Sequence, residues 1–251
     1  MSGHSKWSTI KRAKGAADAK RGQLFTKLGK ELMVAARQGG PNPEHNIRLR
    51  LAVQKCRDNN MPLDNIERAL KKASGEGEAN ALNEANYEGY GPGGVAILVE
   101  VLTDNRNRTI GELRNVFTRG NGNLGEAGCV AWLFESRGVI TIETSQVDAE
   151  EVALWAIDAG ADDVKIEKDF LEVYTDPGNL ETVRQVLEQK DLSLTSTEVS
   201  MIPKTTVEVE KKEALQTIRL LDKLEEMDDV QRVFSNVDFS EEVLEELRSQ
   251  N

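Results

Sequence analysis

Basic residues crowd the beginning of this chain, with one tryptophan among them. Lysine and arginine side chains pair with phosphate oxygens, and an indole ring can stack on an unpaired base. The first twenty-two residues contain a single acid, Asp18. If about six bases contact phosphate, log K should fall with log salt at a slope of roughly −4 to −5. The candidate contact residues are Lys6, Trp7, Lys11, Arg12, Lys14, Lys20 and Arg21.

The same stretch has a second interpretation. It holds few apolar anchors, so it can also be a solvated tail that merely aids solubility, and His4 and Trp7 could pack it against the helices that follow. Its composition predicts a flexible arm over residues 1–22 when no partner is bound. Both interpretations place its positive charge at one end of the molecule.

A second group of polar residues, TDNRNRT, spans residues 103–109. It lies between a predicted buried strand and a predicted helix, where the backbone dipole favours anions. Arg106 and Arg108 would offer several donors to phosphate, sugar or base edges. The alternative is an intramolecular tie, in which these arginines pair with acids such as Glu88 or Glu126.

No catalytic or metal-binding set emerges from the remaining motifs. The glycine-rich segment of residues 87–94 lacks the Lys-Ser/Thr of a P-loop and precedes a strand, so it predicts a structural turn. The two cysteines and two histidines have no metal-ligand spacing. Acid pairs at 162–163 and 228–229 could hold Mg²⁺ weakly, although loop chemistry explains them more simply. We therefore predict no enzyme activity, cofactor, metal or small-molecule substrate.

Three helices are predicted to hold the first group of bases. Leucines recur at helical spacing from Leu24, and Gly39-Gly40 ends that helix. Asn42-Pro43-Glu44 predicts the start of a second helix, and Asp64 with Glu67 predicts a capping box for a third. The outer face of the second helix adds Arg48 to the candidate nucleic-acid-binding residues.

The rest of the chain predicts two α+β domains. Residues 75–94 are predicted as linker and turn, followed by strand 95–102, a helix capped by Thr109 and Glu112, and strand 129–134. Residues 139–202 contain a complete βαββαβ set, and 205–236 return to βαβ. We predict two ferredoxin-like domains, the third domain inserted into the second; two sequential α+β domains are the alternative. The predicted domains are 1–80, 81–135 with 204–240, 136–203, and an acidic tail at 241–251.

Charge divides the chain at the end of the helical region. Residues 1–75 hold sixteen Lys and Arg against six Asp and Glu, whereas residues 76–251 hold sixteen against thirty-seven. A basic region on an acidic body indicates a local, oriented contact with nucleic acid. No apolar run approaches the roughly 20 residues of a membrane span. The chain is expected to be cytoplasmic, without a membrane partner.

Long motifs resemble the YebC family over essentially the whole chain. They are GHSKWSTIKRAKGAADAKRGQLFTKLGKEL, NNMPLDNIERALKKASGE, YEGYGPGGVAILVEVLTDNRNRT and the segment from Gly122 to Trp132. One departure is Gly120-Asn121-Gly122-Asn123, where the family tends towards a Gly-Gly pair. The resemblance implies a helical first domain followed by two α+β domains.

The resemblance also implies two possible functions. Members are widely described as DNA-binding transcriptional regulators, and others, including the mitochondrial translational activator of cytochrome oxidase, resemble ribosome-associated factors that help with difficult sequences such as proline runs. A DNA-binding transcriptional regulator is therefore one hypothesis, and an RNA-binding, ribosome-associated translation factor is the other. A weaker third possibility is an adaptor whose acidic third domain binds a basic protein partner.

Overall fold

The computed structural model describes residues 18–74, 82–144, 147–167, 170–190 and 192–240, together with 242, 243 and 245; the side chains of 18–20 and 74 are outside this description. The chain divides into two compact units, Met1–Leu133 with Thr205–Asn251, and Phe134–Lys204. Helices come first, and two α+β regions follow, one interrupting the other in sequence. The predicted multidomain α+β class, with helices first, is confirmed; the ferredoxin-like strand order is found in the second unit and not in the described sheets of the first. The finer domain boundaries, including those at residues 80 and 241, remain proposals.

The first unit contains helices α1 Asp18–Gly39, α2 Ile47–Asp58 and α3 Leu63–Ser74. Their apolar faces share a core that includes Leu32, Leu49 and Cys56, all fully buried. Burial raises the pKa of the Cys56 thiol to about 11, so this cysteine behaves as a packing residue. None of the helices in the described ranges combines the length and apolar character that crossing a bilayer requires.

Buried Asn46 fixes the joint between α1 and α2. Its amide nitrogen donates to the carbonyls of Ala35 at 2.7 Å and Gly40 at 2.8 Å, and its oxygen accepts from the Leu49 N–H at 3.0 Å. The predicted start of this helix at residues 42–44 was therefore wrong, because Asn46 is the cap. Two further predictions are corrected: α1 already begins at Asp18, within the expected flexible arm, and α3 begins one residue before Asp64.

The α+β part of the first unit contains β1 Asn83–Tyr90, β2 Ala96–Thr103, α4 Arg106–Arg119, β3 Asn123–Leu124, β8 Val207–Glu208, α7 Lys211–Glu225, β9 Val230–Ser235 and β10 Val237–Asp238. Its sheet has four strands in the order β3-β1-β2-β9. Helix α4 follows β2, and helix α7 precedes β9. The strands β8 and β10 form a separate, short parallel pair.

Helices α4 and α7 cover the same face of this sheet. Leu113 and Phe117 of α4, and Ile218 and Leu221 of α7, share one core with Val99 of β2. On β1, Gly89 lets these layers meet, because a Cβ there would lie 2.6 Å from the Asn123 carbonyl oxygen and 2.7 Å from the Phe117 ring. Packing of Leu113 and Phe117 against the sheet therefore holds α4 in place.

Two strand predictions in this unit were wrong. The segment predicted as linker contains β1, which pairs with β2 along its whole length. Where a strand was predicted at 129–134, residues 129–133 are a loop with a 3₁₀ turn at Ala131–Leu133, and a strand begins only at Phe134. The carboxylate of Glu88 accepts N–H bonds from Gly128, Val130 and Ala131, each at 2.7 Å. A side chain therefore satisfies the donors that a strand would have given to a sheet.

The second unit has the predicted ferredoxin-like topology. Its antiparallel sheet has the order β5-β6-β4-β7, which is the fold's characteristic order for a βαββαβ chain. Ile140, Leu171 and Val183 are among the fully buried residues of its core. The elements are β4 Phe134–Glu143, α5 Ala149–Asp158, β5 Asp163–Ile166, β6 Phe170–Thr175, α6 Leu180–Glu188 and β7 Leu194–Pro203.

Candidate nucleic-acid interface

The polar segment after β2 forms the N-terminal turn of α4. Asn105 is the cap, and its side-chain oxygen accepts from the Arg108 N–H at 3.1 Å. The predicted cap at Thr109 was wrong, since Thr109 is buried inside the first turn. Arg106, Asn107 and Arg108 are exposed. The expected place of both arginines at a helix N-terminus is confirmed.

The buried carboxylate of Asp229, just before β9, links three parts of the first unit. It accepts from Arg108 Nη2 at 2.7 Å and Lys30 Nζ at 2.9 Å. The hydroxyls of Thr103 and Thr109 donate to it at 3.0 and 2.8 Å. Helix α1, the end of β2 and the start of α4 therefore meet at one side chain.

The charge state of Asp229 follows from these partners. Burial opposes the ionised form, but hydrogen bonds from Arg108, Lys30 and Thr109 outweigh it and hold the pKa of Asp229 well below its ordinary value. The same contact, with a second ion pair to Asp104 at 3.0 Å, raises the pKa of Arg108. The intramolecular tie considered for Arg108 exists, with Asp229 and Asp104 as its partners.

A second tie joins α2 to the start of β1. Arg48 contacts Glu84 and pairs with Glu31 at 2.9 Å, while Gln38 donates to Glu84 at 2.9 Å. Burial disfavours the charge of Arg48, but the two carboxylates still raise its pKa. Arg106 donates to the backbone carbonyl of Glu84 at 3.2 Å. Arg48 and Arg106 are thus brought together around Glu84.

Polar side chains of α1 also reach the C-terminal end of α7. Lys27 Nζ donates to the Glu225 carbonyl at 2.5 Å, Lys30 Nζ to the Asp228 carbonyl at 2.9 Å, and Gln23 to the Asp228 carboxylate at 3.1 Å. Cations are favoured at this end of a helix. Asp18 precedes Gln23 by about 8 Å of helix, so the first turn of α1 lies near the C-terminal end of α7.

The structure describes part of the predicted contact set. Arg48, Arg106 and Arg108 lie at the junction of α1, α2 and the sheet, where Lys30 is a fourth base. Four carboxylates, those of Glu31, Glu84, Asp104 and Asp229, equal these four bases in number. Arg21 is exposed on α1. The predicted contacts Lys6, Trp7, Lys11, Arg12 and Lys14, and the side chain of Lys20, lie outside the described residues.

Other bases of the helical region are exposed, whereas Lys30 and Arg48 at the junction are half-buried. They lie on the outer faces of all three helices, where helix-face periodicity could have found them. Arg50 among them reaches the carbonyls of Pro43 and Glu44. The exposed bases are Arg21, Arg37, Arg50, Lys55, Arg57, Arg68, Lys71 and Lys72.

The glycine-rich segment of residues 87–94 is a strand end and a tight turn. Gly93 and Gly94 have φ of +70° and +77°, a conformation that glycine adopts without strain. Tyr90 donates to the Cys129 carbonyl at 3.0 Å, and Trp132 donates to the same oxygen at 3.1 Å. Burial opposes the charge of Glu88, yet its three backbone donors lower its pKa. These contacts hold the loop at residues 128–132 against the end of β1, which is a structural role.

Comparisons with known proteins agree along the whole chain. Models described as the TACO1/YebC protein N-terminal domain and the TACO1/YebC second and third domain match residues 5–76 and 82–237. A probable transcriptional regulatory protein of Dehalococcoides mccartyi is 58% identical over 100% of both chains. One of Geobacter sulfurreducens is 54% identical, covering 98% of this chain and 100% of the relative.

A solved structure is also similar. It is the crystal structure of a conserved hypothetical protein from Aquifex aeolicus, with a TM-score of 0.83 and 46% sequence identity. The match covers 89% of this chain and 93% of that one. Sequence and structure comparisons therefore point to one family.

Proposed function

The chain belongs to the TACO1/YebC family, whose matched relatives are named as regulators, and we propose that it regulates gene expression by binding nucleic acid without catalysis. The exposed bases of α1, α2 and α3 would contact phosphate, together with Arg106 at the start of α4. The predicted contacts at Lys6 to Arg21 belong to the same proposed surface. Its place of action would be the cytoplasm.

The observation that carries this proposal is the excess of exposed positive charge on the helical region. Among residues 21–73, whose side chains the structure describes, eight bases are exposed against four acids, Glu44, Asp58, Asp64 and Glu67. Phosphate contacts of this kind position a protein on nucleic acid and make its affinity depend on salt. The acidic remainder of the chain would turn away from the same ligand, which limits the contact to one end.

DNA is the first candidate target. The relatives of Dehalococcoides and Geobacter are both named probable transcriptional regulatory proteins. Helices α2 and α3 are joined by a four-residue turn, Asn59–Pro62, in which Asn60 has a φ of +55°. A short turn between two helices is compatible with a DNA-binding arrangement.

Ribosomal RNA is the second candidate, and the charges along α3 favour it. A recognition helix reads base edges with its N-terminal residues. In α3 the exposed residues of that end include Asp64 and Glu67, whereas its bases Arg68, Lys71 and Lys72 lie towards the other end. Carboxylates at the reading end would repel a DNA backbone. A ribosome-associated translation factor that relieves stalls, such as those at proline runs, fits this distribution.

A third, separate proposal concerns the second unit. Its residues 134–204 hold six Lys and Arg against sixteen Asp and Glu. A surface with this balance suits a basic protein partner. Such a partner would bind in addition to nucleic acid.

Sedimentation of cell lysate tests the target directly. The full chain and a variant lacking residues 1–22 would be followed through gradients at low and high salt. Salt-sensitive comigration with ribosomal subunits that is lost on truncation supports the translation role. Protection of a specific promoter fragment by protein that stays at the top of the gradient supports transcription and rejects the ribosomal role. Absence of both results contradicts the proposed function.

A further inference from the structure

The two helices over the first sheet are basic, although the body that carries them is acidic. Helices α4 and α7 contain eight Lys and Arg against four Asp and Glu. They therefore hold half of the sixteen bases that follow residue 75, while that segment as a whole has thirty-seven acids. This concentration of charge lies outside the helical region and extends beyond the start of α4.

Five of these bases are exposed, and none of the five forms an ion pair with another residue that the structure describes. The other three are engaged: Arg108 with Asp229, Lys211 with Glu242 and Lys223 with Glu226. The five exposed bases are Arg106, Arg114 and Arg119 of α4, and Lys212 and Arg219 of α7.

Arginines elsewhere in the acidic body behave differently. Arg137 pairs with Glu135 and Asp162, Arg184 with Glu181 and Glu188, and Arg232 with Glu100. Exposed like charges without partners repel one another and add nothing to the stability of the fold. The five bases of α4 and α7 are therefore better explained by an external anion than by packing.

The exposed bases are distributed over the solvent-facing sides of two helices that lie side by side. A Cβ on Gly120, just after α4, would lie 2.8 Å from Leu220 of α7, so the helices touch there. Packed helices have axes about 8–10 Å apart. Arg106 and Arg119 are separated by about 20 Å of helix, and Lys212 and Arg219 by about 10 Å.

We infer that the outer faces of α4 and α7 form a second phosphate-binding surface, and that its ligand is the backbone of folded RNA. This inference rests on the nucleic-acid binding proposed above and selects between its two targets. The start of α4 adjoins the helical region, because the Asp229 carboxylate contacts both Arg108 of α4 and Lys30 of α1. One RNA could therefore contact both basic areas.

The limited extent of the surface favours folded RNA over a DNA duplex. Acids at Glu225, Glu226 and Asp228 lie at the C-terminal end of α7 and border the surface there. A long straight duplex would run onto that acidic rim, whereas a folded RNA concentrates phosphates in a small area.

The test removes three arginines from the surface and compares them with three that are ion-paired. Arg114→Gln/Arg119→Gln/Arg219→Gln is the surface variant, and Arg137→Gln/Arg184→Gln/Arg232→Gln is a control with the same change in net charge. Binding to an RNA stem-loop of about twenty base pairs, and to a DNA hairpin of the same sequence, is measured by fluorescence anisotropy between 0.05 and 0.2 M salt. These conditions span the range over which phosphate contacts are strongly salt-dependent, roughly 50–200 mM.

We expect the surface variant to bind the RNA about tenfold to a hundredfold more weakly at 0.1 M salt, with a salt slope smaller by roughly 2 to 3. The control should retain the slope of the unmodified chain. The surface variant should keep the thermal unfolding profile of the unmodified chain, whereas the control, which loses ion pairs, should unfold at a lower temperature but remain folded in the assay. Equal weakening of both variants overturns the surface, as it would reflect net charge alone. If the surface variant loses affinity only for the DNA hairpin and binds the RNA stem-loop as tightly as the unmodified chain, the choice of RNA is overturned. An unmodified chain that binds neither probe contradicts the proposed function itself.

Discussion

The arginines at the junction of the helices and the sheet differ from those on the outer faces of α4 and α7. Arg48 and Arg108 each contact two carboxylates, and two of those carboxylates, Glu84 and Asp229, have lowered pKa values. Arg114 and Arg119 are exposed, and neither forms an ion pair within the described part of the chain. A count of basic residues therefore overestimates the charge that is available to a ligand. The position of the carboxylates decides which bases hold the fold together.

Removal of Asp229 should give the largest effect on stability. Asp229→Ala leaves Lys30 and Arg108 without their shared carboxylate and the buried Thr103 hydroxyl without its acceptor. We expect a loss of about 2–4 kcal/mol in the free energy of unfolding of the first unit, measured by urea denaturation. Asp104→Ala is the matched control, since it removes the exposed carboxylate of the same arginine. An Asp229→Ala protein as stable as this control would contradict the structural role of the junction.

The same carboxylate predicts how stability changes with pH. The pKa of Asp229 is lower in the folded chain than the unfolded value of about 3.9. Its contribution is therefore complete above the unfolded pKa and is lost as pH falls towards the folded one. The difference in unfolding temperature between the unmodified chain and Asp229→Asn should stay constant from about pH 7 to 5 and shrink below about pH 4. If the difference in unfolding temperature became larger as the pH fell, the pKa of Asp229 would not be lowered in the folded chain, and the prediction would be wrong.

Arg48→Ala should have a smaller effect, on stability more than on binding. Its pairs with Glu31 and Glu84 are partly exposed, so we expect a loss of about 1 kcal/mol. Affinity for RNA or DNA should change by less than about twofold, because a phosphate contact would require the carboxylates to release the guanidinium. Denaturation and anisotropy titrations on one preparation separate the two effects. If Arg48→Ala lost much of its affinity for RNA or DNA while its free energy of unfolding stayed unchanged, Arg48 would be a nucleic-acid contact as the sequence predicts.

Arg106→Ala should have the smallest effect on stability. This side chain makes one hydrogen bond to a backbone carbonyl and forms no ion pair with a described residue. Stability should stay within about 0.5 kcal/mol of the unmodified chain. Affinity for nucleic acid should fall roughly fivefold to tenfold at 0.1 M salt, as expected for one lost phosphate contact. Unchanged affinity in the same titration would remove Arg106 from the proposed binding surface and leave it only its contact with Glu84 at the junction.

Much of the fold could be predicted because its elements have strong local signals. The second unit alternates strands and helices with regular periodicity, and its topology follows from the βαββαβ order. The start of α4 was placed near Arg106 and Arg108 because a buried apolar strand precedes them. The wrong strand at residues 129–134 has a physical reason: Glu88 binds the N–H groups of that apolar segment, and no local pattern reveals a carboxylate forty residues away.

The sequence by itself determined where the charge lies: a basic helical region, an acidic body, and arginines at the start of α4. Tertiary structure decided which of those charges remain available. Lys30, Arg108 and Asp229 are far apart in the chain and meet only because α1, α4 and the turn before β9 pack together. Ion pairing depends on distances of a few ångströms. Such distances are set by packing, whereas composition and periodicity describe each segment alone.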